Sequence, residues 1–155
     1  MNSVFKSLIG TWESTRASGS FPTIKDFSYQ EVLKFEENGQ PLLHYSSISK
    51  MGNDTKHCEE GFLRMLKPQS NLVCSLEAHN FGVTVIYEGT IDENTITLES
   101  KEISRISTAK EPYVTQMKKI FKLTSENELE MEVDMATSNK PLTNHLFVSY
   151  KRKIA

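Results

Sequence analysis

The stretch "ELEMEVDM", residues 128–135, decides how the rest of the chain reads. Leu129, Met131, Val133 and Met135 alternate with four acids. Side chains of a strand point to opposite faces with period two, so this segment is a strand with one apolar and one solvated face. The final stretch "KPLTNHLFVSYKRK" (140–153) repeats the rhythm: Leu146, Val148 and Tyr150 fall on one side, His145, Phe147 and Ser149 on the other. Before it, "VTQMKKIFKL" (114–123) puts Met117, Lys119, Phe121 and Leu123 together.

Upstream the pattern continues. "FSYQEVLKF" (27–35) carries Phe27, Tyr29, Leu33 and Phe35 on one face, interrupted by Glu31. Asn38-Gly39 follows as a hairpin signal, since both residues tolerate positive φ. "PLLHYSSIS" (41–49) returns, and Gly52 with Asn53-Asp54 makes the next turn. "HCEEGFLRML" (57–66) is a strand whose Gly61 marks a candidate bulge. "LVCSLEA" (72–78) and "GVTVIYEG" (82–89), joined by "HNF", precede "NTITLES" (94–100) and an irregular connection over 103–113. "SVFKSL" (3–8) fits one helical turn packing Val4, Phe5 and Leu8.

Evenly spaced short strands without a βαβ rhythm predict an all-β fold in a single domain, residues 1–155. Successive hairpins favour an antiparallel up-and-down meander. Such a sheet loses its edges by closing into a barrel, and a barrel of this size leaves room for one ligand. Trp12, in "GTW" (10–12), is expected as a plug at the closed end.

The chain has 155 residues, 18 basic and 20 acidic, and a formal net charge of −2. Nothing in that balance calls for nucleic acid or a membrane. "MNSVFKSLIGTW" shows no signal-peptide pattern, and no apolar run is long enough to span a bilayer. A cytoplasmic location is therefore the default, with a nuclear one and a homodimer left open. Cys58 and Cys74 read as free thiols, and no C-x-x-C pair suggests structural zinc.

The sequence carries no serine-nucleophile elbow, phosphate loop or dinucleotide turn. Glu59 and Glu60 are adjacent in a strand and so face opposite ways. His44 reads as a cross-strand packer, His79 as solvent-facing in a turn, and His57 as a residue that lines a mouth. An inward His145 needs a partner for its nitrogens, because an unpaired buried polar group is costly. A protein hydrogen bond and a metal or haem iron are both open answers on these grounds.

Three stretches carry a family resemblance: "LIGTWES…GSFPTIKDFSYQE" from Leu8 to Glu31, "HCEEGFLR" (57–64), and "RISTAKEPYVTQMKKIFKL…MEVDMATSNKPLTNHLFVSYK". Together they resemble the nitrobindin family, haem-binding β-barrels related to fatty-acid-binding proteins. The likeness is strongest to the version at the carboxy terminus of animal THAP-type zinc-finger proteins. The resemblance implies a ten-stranded antiparallel barrel with ferric haem b in its mouth. It implies that His145 is the axial ligand, that Thr23 of Phe21-Pro22-Thr23 touches the haem, and that His57 lies on the haem's other side. It further implies nitric oxide binding and isomerisation of peroxynitrite to nitrate. Lys118 or Lys119 is a candidate partner for a haem propionate.

The family's bacterial and plant members read G-x-W-x-G-x-G near the start. Here Ser14 and Arg16 replace the later glycines, which suggests a lengthened turn or a remodelled rim. Two cysteines cannot build a zinc finger, so DNA binding has no support. The competing readings are a carrier of lipid or another small apolar ligand, and a haem-free interaction module. Fatty-acid carriers resemble one another in a terminal Arg-x-Tyr pair. Tyr150 and Arg152 stand in the reverse order, which argues against carboxylate capture.

Overall fold

The computed structural model describes residues 1–154. A short helix α1 (Ser3–Leu8) precedes eleven strands: β1 (Gly10–Phe21), β2 (Ile24–Ser28), β3 (Gln30–Glu37), β4 (Leu42–Met51), β5 (Asp54–Met65), β6 (Leu72–His79), β7 (Val83–Asp92), β8 (Thr95–Arg105), β9 (Val114–Ser125), β10 (Glu128–Thr137) and β11 (Lys140–Arg152). Each strand from β3 to β11 pairs with its sequence neighbour, and β11 closes on β1. The result is a closed ten-stranded antiparallel barrel. The eleventh strand, β2, lies outside the closed cycle and pairs with β1 alone. Among the described residues no helix is long and apolar enough to cross a membrane.

The alternation read from the sequence fills the interior. Leu129, Met131 and Val133 of β10 are buried, as are Met117, Lys119, Phe121 and Leu123 of β9. Burying each of the apolar side chains among these contributes ~1.5–3 kcal/mol. At the end closed by α1, Val4, Phe5 and Leu8 pack into the core. Trp12 is fully buried there and its indole N–H donates to the Leu8 carbonyl at 2.8 Å. The Arg152 guanidinium lies over the indole, 4.2 Å from the ring centre. It also donates to the Ile9 and Ser7 carbonyls at 2.6 and 2.7 Å, so the last strand is tied to the helix.

Four local expectations are corrected. Residues 27–35 are not one strand: the chain leaves β2 and enters β3 at Tyr29, whose N–H donates to the Ala17 carbonyl at 3.1 Å. Gly61 is not a bulge, since it pairs in regular register with Tyr45 and Glu77. A Cβ there would overlap the Leu76 carbonyl, so close strand approach is what glycine provides. The missing glycines of the first motif do not lengthen a turn. Ser14 and Arg16 flank a register shift within the continuous strand β1.

The fourth correction concerns His145. Leu146 pairs with Val133 and Asn144 with Asp134, which leaves His145 as the extra residue of a β-bulge. Leu146, Val148 and Tyr150 therefore face inward, and Phe147 is not the companion of His145 on the interior face. The bulge is what lets both His145 and its neighbour Leu146 line the cavity.

Candidate functional site

The open end of the barrel holds a cavity of about 270 Å³. Its walls are apolar, with Phe27, Phe81, Val114, Met117, Met135 and Leu146 among them. Its floor is not. Tyr29, Glu31, Ser49, His57, Glu59, His79 and Lys119 all reach it, and all but Tyr29 and His57 are buried.

His145 enters the wall from the bulge in β11. Its Nδ1 donates to the Ser20 carbonyl at 3.0 Å, which leaves Nε2 as the lone-pair nitrogen, with no hydrogen-bond partner among the described residues. Phe21 meets the imidazole edge-on at 5.6 Å between ring centres, and Phe27 at 6.3 Å. Both rings and Ser20 belong to the β1–β2 hairpin, so this hairpin sets the orientation of His145. Gly19 permits the packing, because a Cβ at that position would collide with the Phe27 ring. Burial pushes the His145 pKa below its ordinary value of 6.5, outweighing the opposing hydrogen bond to Ser20. The imidazole is thus neutral at pH 7, the form that binds metal.

Thr23 lies at the tip of the same hairpin, exposed, and is not among the cavity-lining residues. His57, on β5, does line the cavity. Four strand-to-strand steps separate β5 from β11 one way round the barrel and six the other, so His57 stands nearly across from His145. Its Nε2 is 2.9 Å from Nδ1 of His79, and the two rings are near-parallel at 10°. Burial lowers its pKa as well.

His79 corrects the expectation of a solvent-facing turn residue. It ends β6, is buried, and has Nδ1 3.1 Å from Glu59 and Nε2 3.5 Å from Glu77. Lys119 corrects a second. It is not a surface charge awaiting a propionate: its amine is buried, 3.1 Å from Glu59 and 2.8 Å from Glu77. Burial alone would depress the Lys119 pKa; the two carboxylates outweigh it and hold the amine protonated. Burial likewise works against an ionised Glu59, yet Lys119 and the histidines hold its pKa below the usual carboxylate range. Tyr45 completes this group by donating to Glu59. Lys118 is half-buried and lies outside the cavity lining.

Glu31 is the other buried acid. Ser49 donates to it at 3.0 Å, and Tyr150 donates to its second oxygen. Burial first, then the nearby Glu59 charge, push its pKa up to about 7. Tyr150 is thus committed to Glu31 and Arg152 to the closed end, so the two do not form a carboxylate clamp in the cavity.

A signal for this floor exists in β6. Its buried face is Val73, Ser75, Glu77 and His79, while Leu72 and Leu76 are exposed. The strand is inverted relative to the usual apolar-inside pattern.

The chain and its closed barrel match known proteins. A family model described as "THAP4-like, heme-binding beta-barrel domain" matches residues 3–152. The chain belongs to this family. Peroxynitrite isomerase THAP4 of Homo sapiens is 41% identical over 98% of the chain, and that of Rattus norvegicus is 41% identical over 94%. The chain spans about a quarter of the length of these animal relatives, 27% and 26%. Peroxynitrite isomerase of Nocardia farcinica is 33% identical, with 94% of this chain and 86% of that protein covered. Rv2717c from M. tuberculosis, a crystal structure, superposes with a TM-score of 0.85 at 28% identity, covering 99% of both chains. Membership in the THAP4-like family accounts for the barrel topology over nearly the whole chain.

Proposed function

We propose that this chain binds haem b in the barrel mouth and, with ferric iron, isomerises peroxynitrite to nitrate. The observation that carries the reading is His145: a neutral imidazole whose Nδ1–H is tied to the Ser20 carbonyl and whose Nε2 is unpaired beside an apolar cavity. A metal-binding histidine fixes its tautomer by donating its other N–H to a carbonyl or carboxylate, and this one does so before any ligand arrives. The donor set suits the cofactor: one imidazole, a ring of Phe, Val, Met and Leu for the porphyrin face, and an open end for the propionates. The residues present fit haem.

Peroxynitrite and nitrate are isomers, so the reaction needs no net electron or proton: one O–O bond breaks and one N–O bond forms. When bound, the haem supplies the metal coordination position at which that rearrangement takes place, and nitric oxide is a ligand for the same position. The protein's part is support. His145 would hold the metal through Nε2, and the β1–β2 hairpin fixes the plane of its ring. We place Thr23, at the tip of that hairpin, at the haem edge. His57, across the cavity from His145, would offer a neutral imidazole to a bound haem's other side. The apolar wall excludes water from the reacting oxygens.

The test is peroxynitrite decay by stopped flow with haem-loaded wild type, His145→Ala, and haem-free chain. Wild type should accelerate decay in proportion to its haem content, with nitrate as product, and the other two should not. Equal decay rates in all three would overturn the reading. Saturable uptake of a fatty acid in place of haem would instead favour a carrier.

A further inference from the structure

We propose a second metal site in this chain, on the cavity floor, where His57 Nε2, His79 Nδ1 and a Glu59 carboxylate oxygen bind a divalent first-row transition metal. The three atoms form a triangle with edges of 2.9, 3.1 and 4.0 Å. A tetrahedral site with bonds of about 2.0–2.1 Å has edges of about 3.3–3.4 Å. Two edges are short by a few tenths of an ångström and one is long, a mismatch that small rotations of the two imidazoles correct. The ligand types, two imidazoles and one carboxylate, are those of a three-residue site with one position open. That open position faces the cavity, which all three residues line.

An independent observation is the hydrogen bonding of His79, whose side chain is only 2% exposed. Its Nδ1 faces Glu59 and its Nε2 faces Glu77, and among the described residues Nε2 has no hydrogen-bond partner. A neutral imidazole carries one proton. With the proton on Nδ1, the Nε2 lone pair faces Glu77; with it on Nε2, Nδ1 accepts from His57 Nε2–H at 2.9 Å but still faces the Glu59 carboxylate at 3.1 Å. Each neutral tautomer leaves one nitrogen lone pair against a carboxylate oxygen, and a positive charge on that nitrogen, a proton or a metal ion, relieves it. A cation at Nδ1 resolves the conflict, because Nε2–H then points to Glu77. That is the arrangement in which a carboxylate behind a histidine orients it toward a metal.

The charges agree. Two carboxylates, Glu59 and Glu77, face the single Lys119 ammonium, and His79 lies between the same two acids. Phe81 packs 5.3 Å from His57 and 5.4 Å from His79 between ring centres, which holds both rings in place. His57 is half-buried, so an ion reaches the site through the mouth. The site uses none of the groups that hold His145, shares His57 with the cavity proposed for haem, and does not require the haem reading.

The experiment uses haem-free chain, stripped with chelator, titrated with Zn²⁺ by calorimetry and with Co²⁺ by visible absorption. One equivalent should bind, and Co²⁺ should show the ligand-field bands of a four-coordinate site. His57→Ala, at a half-exposed position that leaves the barrel intact, should weaken binding at least ~10-fold, and Glu77→Gln by ~10–100-fold. His145→Ala should bind Co²⁺ like wild type. No stoichiometric binding would overturn the proposal, as would equal affinity in wild type and His57→Ala, or loss of the bands in His145→Ala. If Glu77→Gln fails to fold, the His57→Ala comparison decides alone. Loss of haem binding with Co²⁺ binding intact would sink the haem reading only.

Discussion

The two ends of this barrel are built from the same alternating strands and do opposite things. At the closed end, α1, Trp12 and Arg152 fill the interior, with the indole bonded to Leu8 and the guanidinium to Ile9 and Ser7. At the mouth, the interior positions hold Glu31, Glu59, Glu77, His57, His79 and Lys119 beneath an apolar wall, with His145 supplied by a bulge. The contrast teaches that stability and ligand chemistry are separated along the barrel axis. One end supplies the packing that lets the other carry buried charge.

Substitutions at each end should break or sharpen that division. The largest effect belongs to the closed end. Trp12→Ala should cost roughly 3–5 kcal/mol, the range for truncating a fully buried indole. Urea unfolding should show it, while the folded fraction keeps haem affinity. A loss of haem affinity without a loss of stability would erase the distinction between the ends.

Next comes Lys119→Met. Removing one partner from a buried ion pair leaves uncompensated charge, with a cost of roughly 3 kcal/mol or more. Adding Glu59→Gln should recover a large part of it, measured by the same unfolding curves. If the single variant is as stable as wild type, the floor is not the charge cluster described.

Glu31→Gln should act through pH. The Glu31 pKa is raised from 4.5 to about 7, so between those values the folded chain holds a proton that the unfolded chain has lost. Stability from this group therefore falls as pH rises through that window, by on the order of 3 kcal/mol at ~1.4 kcal/mol per unit. In Glu31→Gln that decline should flatten. Identical pH profiles for the two proteins would contradict it.

The smallest effect concerns acid and His145. Its folded pKa is below 6.5, so as pH falls below 6.5 the unfolded chain takes up the proton first and stability drops. His145→Ala should lose that acid-side slope, with little change in stability above pH 6.5. A large stability loss at neutral pH would make His145 a structural residue.

Much of this was legible in the sequence, for a physical reason. Leu129, Met131 and Val133 alternate cleanly because β10 buries one face and exposes the other. The Asn38-Gly39 turn and the row Met117–Leu123 were readable by the same logic. The site was readable in part. His145 and His57 reach the cavity as expected, but the route of His145 was hidden, since a bulge shifts the face of every residue before it and leaves no local signature. The floor was hidden more deeply. Charged residues at interior positions invert the pattern used to find the interior, as β6 shows with Glu77 inside and Leu76 outside. Their partners lie far apart in the chain: Lys119 meets Glu59 across 60 residues and Glu77 across 42. No local spacing announces such a cluster.

The most direct measurement is an optical titration of haem-free chain with ferric haem, wild type beside His145→Ala. The account predicts a saturable one-to-one Soret shift in wild type that the variant lacks, while both unfold at similar urea concentrations. Equal Soret shifts in the two proteins, or none in either, would contradict it.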